Sequence, residues 1–325
     1  MKEFASLKVF MLGLTLVFCG IILLAVAVLL KLIGDYLREQ GRLKLYRLSR
    51  AFFVLVLLPF PLFFGSIFYA ARVEPYWIAT RIINVASPLF SKNLKDIKIV
   101  QISDLHISAI RPYEKSLIRR VNRLKPDVLF ITGDFINEAD DVELVLEVLG
   151  QLKAKYGIYA VLGNNEYYFL NEGDFIQALK RAGVYVLKHE NLRLDFKDKG
   201  YFWLAGLSFR YDAESYLKQA FAGIPVDEPK ILITHDPDVV DLNGLKDFDP
   251  QIVIAGHTHG GQIGIPFIRR LSDRAETSRY MAGRYITDKG LLLYVNRGIA
   301  TTIPVARFLC RPEITIYKFK YSEEK

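Results

Sequence analysis

At 325 residues the chain suits one large domain or two modest ones, and 51% apolar residues are enough for a sizeable core. The net charge of +8 is concentrated in residues 1–72, where nine Lys or Arg meet three acids (9 − 3 = +6), while the remaining 34 basic and 32 acidic residues leave only +2. That placement points to a membrane surface and argues against a nucleic-acid partner, and two distant cysteines, Cys19 and Cys310, imply no disulfide framework.

In chain order, Val9 to Leu30 comes first, 22 residues without a charge. At ~1.5 Å per residue such a helix spans a hydrocarbon core of ~30 Å. No small-residue cleavage site follows, so the run reads as a membrane helix and not as a signal peptide. Ala51 to Ala71 is a second uncharged run of 21 residues, interrupted by Pro59 and Pro61. It either spans the bilayer or lies in its interface as a broken segment. Six basic residues and two acids lie between the runs, which places that loop in the cytoplasm. If both runs span, the rest of the chain is extracytoplasmic; if the second stays on the surface, the rest is cytoplasmic. The expected organisation is an integral anchor over residues 1–72, with one or two transmembrane helices, then a connector over 73–95 and a catalytic domain over 96–325. Tyr76 and Trp77 in the connector suit the headgroup level.

Beyond the connector, apolar runs alternate with helical patterns. Ile97 to Ile102 reads as a buried strand, followed by helical spacing at Leu117, Ile118, Val121 and Leu124. Asp127 to Thr132 is a second strand, followed by Val142, Val145, Leu146, Leu149 and Leu152 at helical spacing. Ile158 to Leu162 is a third strand, with a helix expected from an N-cap at Asp174 to Gly183. Such βαβ alternation implies a largely parallel sheet. Leu192 to Phe196 and Tyr201 to Ala205, joined by a short turn, suggest a second sheet, and Lys230 to Thr234 and Gln251 to Ala255 are further strands. The fold class is therefore α/β, with two sheets.

Five of these strands end on metal-binding residue types. The first leads to Asp104-Leu-His106, the second to Gly133-Asp134, the third to Gly163-Asn164-Asn165-Glu166. The remaining two lead to His235 and to Gly256-His257-Thr-His259. Four of the five histidines in the chain therefore sit at strand ends, where α/β sheets bind ligands. On an extended segment, residues two apart point to one side, so Asp104 and His106 can reach one cation.

In this order, Asp-x-His, Gly-Asp, Gly-Asn, His and Gly-His-Thr-His resemble the calcineurin-like metallophosphoesterases, over roughly residues 96 to 320. The closing stretch from Tyr294-Val-Asn-Arg-Gly298 to Arg307-Phe-Leu-Cys-Arg-Pro-Glu313 resembles the membrane-associated bacterial branch, which includes UDP-diacylglucosamine pyrophosphatases of lipid A synthesis. The resemblance implies a two-sheet sandwich flanked by helices. It also implies one cation on Asp104, His106 and His259, another on Asn164, His235 and His257, and Asp134 bridging them. Mixed nitrogen and oxygen ligands without thiolate suit Mn first, then Fe or Zn. Two cations on one carboxylate acidify a water for attack and neutralise the phosphoryl oxygens, so Asp134 and His257 are counted as catalytic.

One position departs from the family pattern. Gly-Asn is usually followed by a histidine that protonates the leaving group; here the residue is Asn165. An amide is no general acid at neutral pH. An alkoxide leaving group suffers from that loss, whereas a phosphate, with a second pKa of about 6, departs without a proton. Asn165 therefore favours a phosphoanhydride, unless His189 or Tyr167 supplies the acid. Arg210 and Arg297, together with Arg269 and Arg270, are candidates for clamping a phosphate.

The expectation is a phosphoesterase of the bacterial inner membrane acting on a phosphorylated lipid or nucleotide-diphosphate lipid such as UDP-2,3-diacylglucosamine. The alternatives are an extracytoplasmic phosphodiesterase of envelope polymers or phospholipids, and a nonenzymatic membrane scaffold retaining the fold.

Overall fold

The computed structural model describes residues 26–57, 59–210, 212–265, 278–303 and 305–323. The chain divides into two compact units, Met1–Tyr69 and Ala70–Lys325. The first contains helices α1 (26–39) and α2 (Leu43–Leu57), and α3 (Pro59–Arg72) leads into the second. Most of the first apolar run lies outside the described residues. The second run is helical wherever it is described, in α2 up to Leu57 and in α3 from Pro59, and residue 58 lies outside the described residues. No helix among the described residues is long and apolar enough to cross a membrane.

The second unit is built on two six-stranded sheets. The first holds β1 (Ala79–Ser87), β2 (Ile99–Ile102), β3 (Val128–Thr132), β4 (Ile158–Val161), β5 (Val184–Val186) and β12 (Glu313–Tyr321), in the order β1-β12-β2-β3-β4-β5. The second holds β6 (Glu190–Asp195), β7 (Tyr201–Leu207), β8 (Lys230–Thr234), β9 (Ile252–Ala255), β10 (Gly283–Ile286) and β11 (Leu292–Val295), in the order β10-β11-β9-β8-β7-β6. β2 to β5 are parallel, as are β7, β8, β9 and β11, while β12 meets β2 antiparallel.

Every residue of β2, β3, β8 and β9 is buried, which is why these strands read as mainly apolar runs and not as alternation. The core between the sheets is formed by residues such as Ile99, Phe130, Val161, Phe202, Ile231, Ile254 and Phe319. Helices α4 (Pro112–Leu124), α5 (Val142–Leu149) and α7 (Glu172–Arg181) cover the outer face of the first sheet through Leu117, Val121, Val145, Val148, Phe175 and Leu179. The short helix α8 (Leu217–Ala220) and the segment around Val239, Val240 and Leu245 cover the other outer face.

Two details differ from the sequence reading. β1 lies within the stretch read as connector, so the folded unit begins well before residue 96. It pairs on one side only and buries just Ala79, Val85 and Ser87, too few positions for a clear strand period. Helix α7 starts earlier than expected, because Asn171, not Asp174, is the N-cap; its side chain accepts the Asp174 N–H at 3.2 Å.

Candidate metal centre

The parallel strands of both sheets deliver their carboxyl ends to one edge. Asp104 and His106 follow β2, Asp134 follows β3, and Asn164 follows β4 and opens the short helix α6 (Asn164–Phe169). His235 follows β8, and His257 and His259 follow β9. Gln101 donates from β2 to the Ala255 carbonyl at 3.0 Å, and the Thr132 carbonyl accepts from His235 Nδ1 at 2.7 Å. These bonds fix one sheet's ligand loops against the other's.

The side chains form two clusters that share one residue. Asp104, His106, Asp134 and His259 offer ligand atoms within 4.8 Å of one another, as do Asp134, His235 and His257. Asn164 joins the second group, with Oδ1 3.0 Å from His235 Nε2 and its amide NH₂ donating to Asn165 Oδ1. Asp134 Oδ2 lies 3.3 Å from His106 Nε2, and Oδ1 lies 3.5 Å from His235 Nε2.

The hydrogen bonds behind the rings set their tautomers. Nδ1 of His106, His235 and His259 faces the carbonyls of Ile136, Thr132 and Ala300 at 3.2, 2.7 and 3.3 Å. A carbonyl only accepts, so each Nδ1 carries the proton and each Nε2 presents a lone pair. The Nε2 atoms of His106 and His259 then face each other at 3.2 Å, and His235 Nε2 lies 3.0 Å from His257 Nδ1. Lone pairs so close repel unless a cation draws both. Asp134 Oδ2 is buried with no hydrogen-bond donor, which is costly for a carboxylate. These residues fit metal ions.

Electrostatics agree with this. Burial works against a charged imidazole, yet the Asp134 and Asp104 carboxylates hold His235 above its ordinary value. Burial likewise works to raise Asp134, but His235 and His106 bring it below the usual carboxylate range. The site is arranged for positive charge.

Five ligands adopt positive φ: Asp104 (52°), His106 (40°), Asp134 (54°), His257 (73°) and His259 (51°). The left-handed region costs about 1–2 kcal/mol for an L-residue with a Cβ. This strain turns the side chains out of the strand ends towards one point. Gly163 permits the close approach beneath them, because a Cβ there would overlap the Asp134 carboxylate and amide.

Sequence reasoning gave no role to Glu166, the residue after Asn165, which is fully buried behind the centre. Its carboxylate accepts N–H groups from Asp134, Phe135, Ile136 and Gly163 at 3.0, 2.7, 3.3 and 2.8 Å, fastening the β3 loop to the β4 loop. Burial and then Asp134 push it up to about 7, with the Gly163 N–H pulling it back. The signal was present as Gly163-x-x-Glu166, the spacing of a capping box. Glu166→Gln would turn an NH₂ towards backbone donors, and an unmatched buried donor costs about 1–3 kcal/mol. A lower urea midpoint and weaker metal affinity are expected; a midpoint equal to wild type would show that the clamp is dispensable.

The other expected residues fall outside the clusters. Asn165 donates its amide to the Ile136 carbonyl at 2.8 Å and its backbone N–H to Asp134 Oδ1 at 3.0 Å. Arg210 is engaged by Glu172 as a bidentate pair and lies over the Tyr167 ring, 4.7 Å from its centroid. Its neighbour Phe209 approaches both His235 and His257, with ring centroids at 6.4 and 6.3 Å. Arg297 runs beside Gly260, with Nε 3.7 Å from Glu313. Arg269 and Arg270 lie outside the described residues. His189 stacks on Tyr216 at 4.1 Å, and burial, then Arg210, lowers it to about 4.

Comparison with known proteins decides the family. Residues 97–261 match the calcineurin-like phosphoesterases. The chain belongs to that family. It is therefore a metal-dependent hydrolase with an α/β metallophosphoesterase fold. An uncharacterized metallophosphoesterase of Bacillus subtilis, YkuE, is 30% identical over 263 residues, covering 79% of this chain and 90% of that protein. The UDP-2,3-diacylglucosamine pyrophosphatase LpxG of Chlamydia trachomatis is 27% identical over 307 residues, covering 78% of this chain and 92% of LpxG. A transmembrane protein with metallophosphoesterase domain from Bos taurus is 30% identical over 238 residues, covering 69% of this chain and 53% of the bovine protein.

Proposed function

We propose that this metallophosphoesterase holds two divalent cations, Mn preferred, and cleaves a phosphoanhydride in a lipid-linked substrate of the UDP-2,3-diacylglucosamine kind at the bacterial inner membrane. The observation that carries the two-cation reading is Asp134, whose carboxylate oxygens each face a histidine of a different cluster. Asp104, His106 and His259 would hold one cation, Asn164, His235 and His257 the other, with Asp134 between them. Bound there, the cations supply Lewis-acid stabilisation of the phosphoryl oxygens and an acidified water.

Three observations support the substrate. Asn165 holds no proton to give an alkoxide. LpxG is similar along most of both chains. The uncharged runs 9–30 and 51–71 and their basic loop suit an anchor beside lipid substrates. Arg210 and Arg297 are proposed to flank the phosphates.

The full chain in detergent, loaded with Mn, should cleave UDP-2,3-diacylglucosamine to a nucleoside monophosphate and an acylglucosamine phosphate. Hydrolysis of phosphodiesters with no cleavage of the diphosphate would favour the envelope phosphodiesterase instead. Reporter fusions at the C-terminus read the membrane side, and an extracytoplasmic result would argue against a nucleotide-activated substrate.

The anchor carries a separate expectation. Every ligand and both sheets lie beyond residue 69. Deleting residues 1–69 should leave a folded unit whose Mn-dependent hydrolysis of bis(p-nitrophenyl) phosphate stays within about threefold of the full chain. Aggregation of several such truncations would make the N-terminal unit part of the core.

A further inference from the structure

The metal centre has an apolar neighbour. Ile303, Val305 and Leu309 are 87%, 65% and 65% exposed on one loop, an unusual outlay of large aliphatic side chains on so short a segment. The loop is not loosely held. Arg307 at its middle is fully buried and donates to the carbonyls of Arg297 at 2.8 Å, Gly298 at 3.3 Å and Cys310 at 3.1 Å, and also to that of Ala300. A guanidinium spread over these four carbonyls and that of His259 fixes the backbone around it, so the neighbouring aliphatic residues are presented outward and cannot collapse inward.

The loop is tied at one end to the metal centre. Ala300 donates its N–H to the Asp104 carbonyl at 3.0 Å, and its own carbonyl accepts from His259. At the other end it is tied to the segment by which the chain enters this unit. The Arg307 N–H donates to the Ala70 carbonyl at 2.9 Å, and the buried carboxylate of Glu74 accepts from the Leu309 N–H at 2.9 Å and from the Cys310 N–H. Arg311 stacks over Trp77 at 4.0 Å. Val73, Tyr76 and Trp77 on this segment are exposed as well.

We propose that Ile303, Val305 and Leu309, with Val73, Tyr76 and Trp77, form a surface that inserts into the bilayer interface and seats the metal centre at the lipid headgroups. Two observations select a bilayer over another protein. The segment 70–77 follows along the chain from the uncharged run 51–71, so the polypeptide enters this surface straight from an apolar stretch. Its make-up is interfacial: Trp and Tyr rings with an apolar body and a polar tip, aliphatic side chains projecting beyond them, and the arginines Arg72 and Arg311 for anionic headgroups. The proposal deepens the lipid-substrate reading, since it explains how a substrate still embedded by its acyl chains reaches the cations.

Depth is measured without any turnover, so this test can fail independently of that reading. The full chain, with Cys19→Ser, is reconstituted in vesicles of phosphatidylethanolamine and phosphatidylglycerol, and an environment-sensitive fluorophore is attached through Ile303→Cys. A second sample carries it through Val226→Cys, at an exposed position in the turn before β8. Expected is a blue-shifted emission at 303, quenched at least about threefold more by spin-labelled lipid than at 226 and shielded from iodide. Equal iodide access at both positions would overturn the proposal. Shielding from iodide without lipid quenching would overturn it as well, because it would mean burial against protein, whether another copy or the N-terminal unit. As a second measurement, Ile303→Asp combined with Val305→Asp and Leu309→Asp should lower kcat/KM at least tenfold on a phosphoester lipid in vesicles, leaving hydrolysis of bis(p-nitrophenyl) phosphate within about twofold. Equal loss on both substrates, or no loss on either, would count against insertion.

Discussion

Asp134→Ala should lose both cations together. The residue belongs to both ligand clusters, whereas Asp104 and His235 each belong to one. Metal analysis of purified wild type should find two divalent ions per chain; the variant should hold neither at concentrations that saturate wild type, and kcat/KM should fall by at least ~10³-fold, beyond the loss of a single stabilising donor. Stability in chelator separates this from misfolding. Asp134 is a buried carboxylate with Oδ2 lacking a donor, so its removal takes a poorly compensated charge out of the metal-free protein, which offsets the acceptor lost to the Asn165 N–H. The melting temperature in chelator should match wild type or exceed it. Two ions bound to the variant at native affinity would refute the bridging role.

Asn165→His should change the leaving groups the enzyme accepts. The Asn165 amide is hydrogen-bonded to the Ile136 carbonyl and lies 3.3 Å from His106 Nδ1, so position 165 borders the centre but holds nothing that titrates near neutrality. General acid catalysis contributes typically ~10²–10⁴-fold. Restoring an imidazole should raise kcat/KM on alkyl phosphodiesters by some part of that range, and move diphosphate cleavage by less than about threefold, since a phosphate leaves without a proton. The measurement is kcat/KM for both classes, wild type against variant, at saturating Mn. Equal gains on both would mean that another residue is the acid. His189, the histidine remaining outside the clusters, is a poor substitute: it is buried, stacked on Tyr216 and pushed to about 4.

The ligand loops were legible because two patterns coincided in them. Fully buried parallel strands appear as plain apolar runs, and each run stops at a residue type that binds metal. The edge strand β1 was not legible, since half-exposed pairing leaves no clear period in Thr80-Arg81-Ile82-Ile83-Asn84. Glu166 and Arg307 were harder still. Their importance lies in backbone groups they bind from segments distant in sequence, and main-chain donors and carbonyls carry no identity in a sequence. Arg210 shows the same limit in reverse, for its partner Glu172 and its ring Tyr167 become visible only when α6 and α7 fold beside it.

The order of the first sheet has a consequence for synthesis on the ribosome. β12 lies between β1 and β2 and pairs with β1 in parallel over nine residues, Ala79↔Glu313 to Ser87↔Tyr321. β1 therefore waits for β12 to be translated, and until then β1 and β2 both present open backbone edges. A nascent chain stalled just short of β12 carries every ligand but cannot close the sheet that positions them. Its open edges and uncovered apolar faces are the features that chaperones and quality-control proteases engage. Assembly of the metal centre on a closed sheet thus waits for β12, and a product terminated before that strand is exposed to removal.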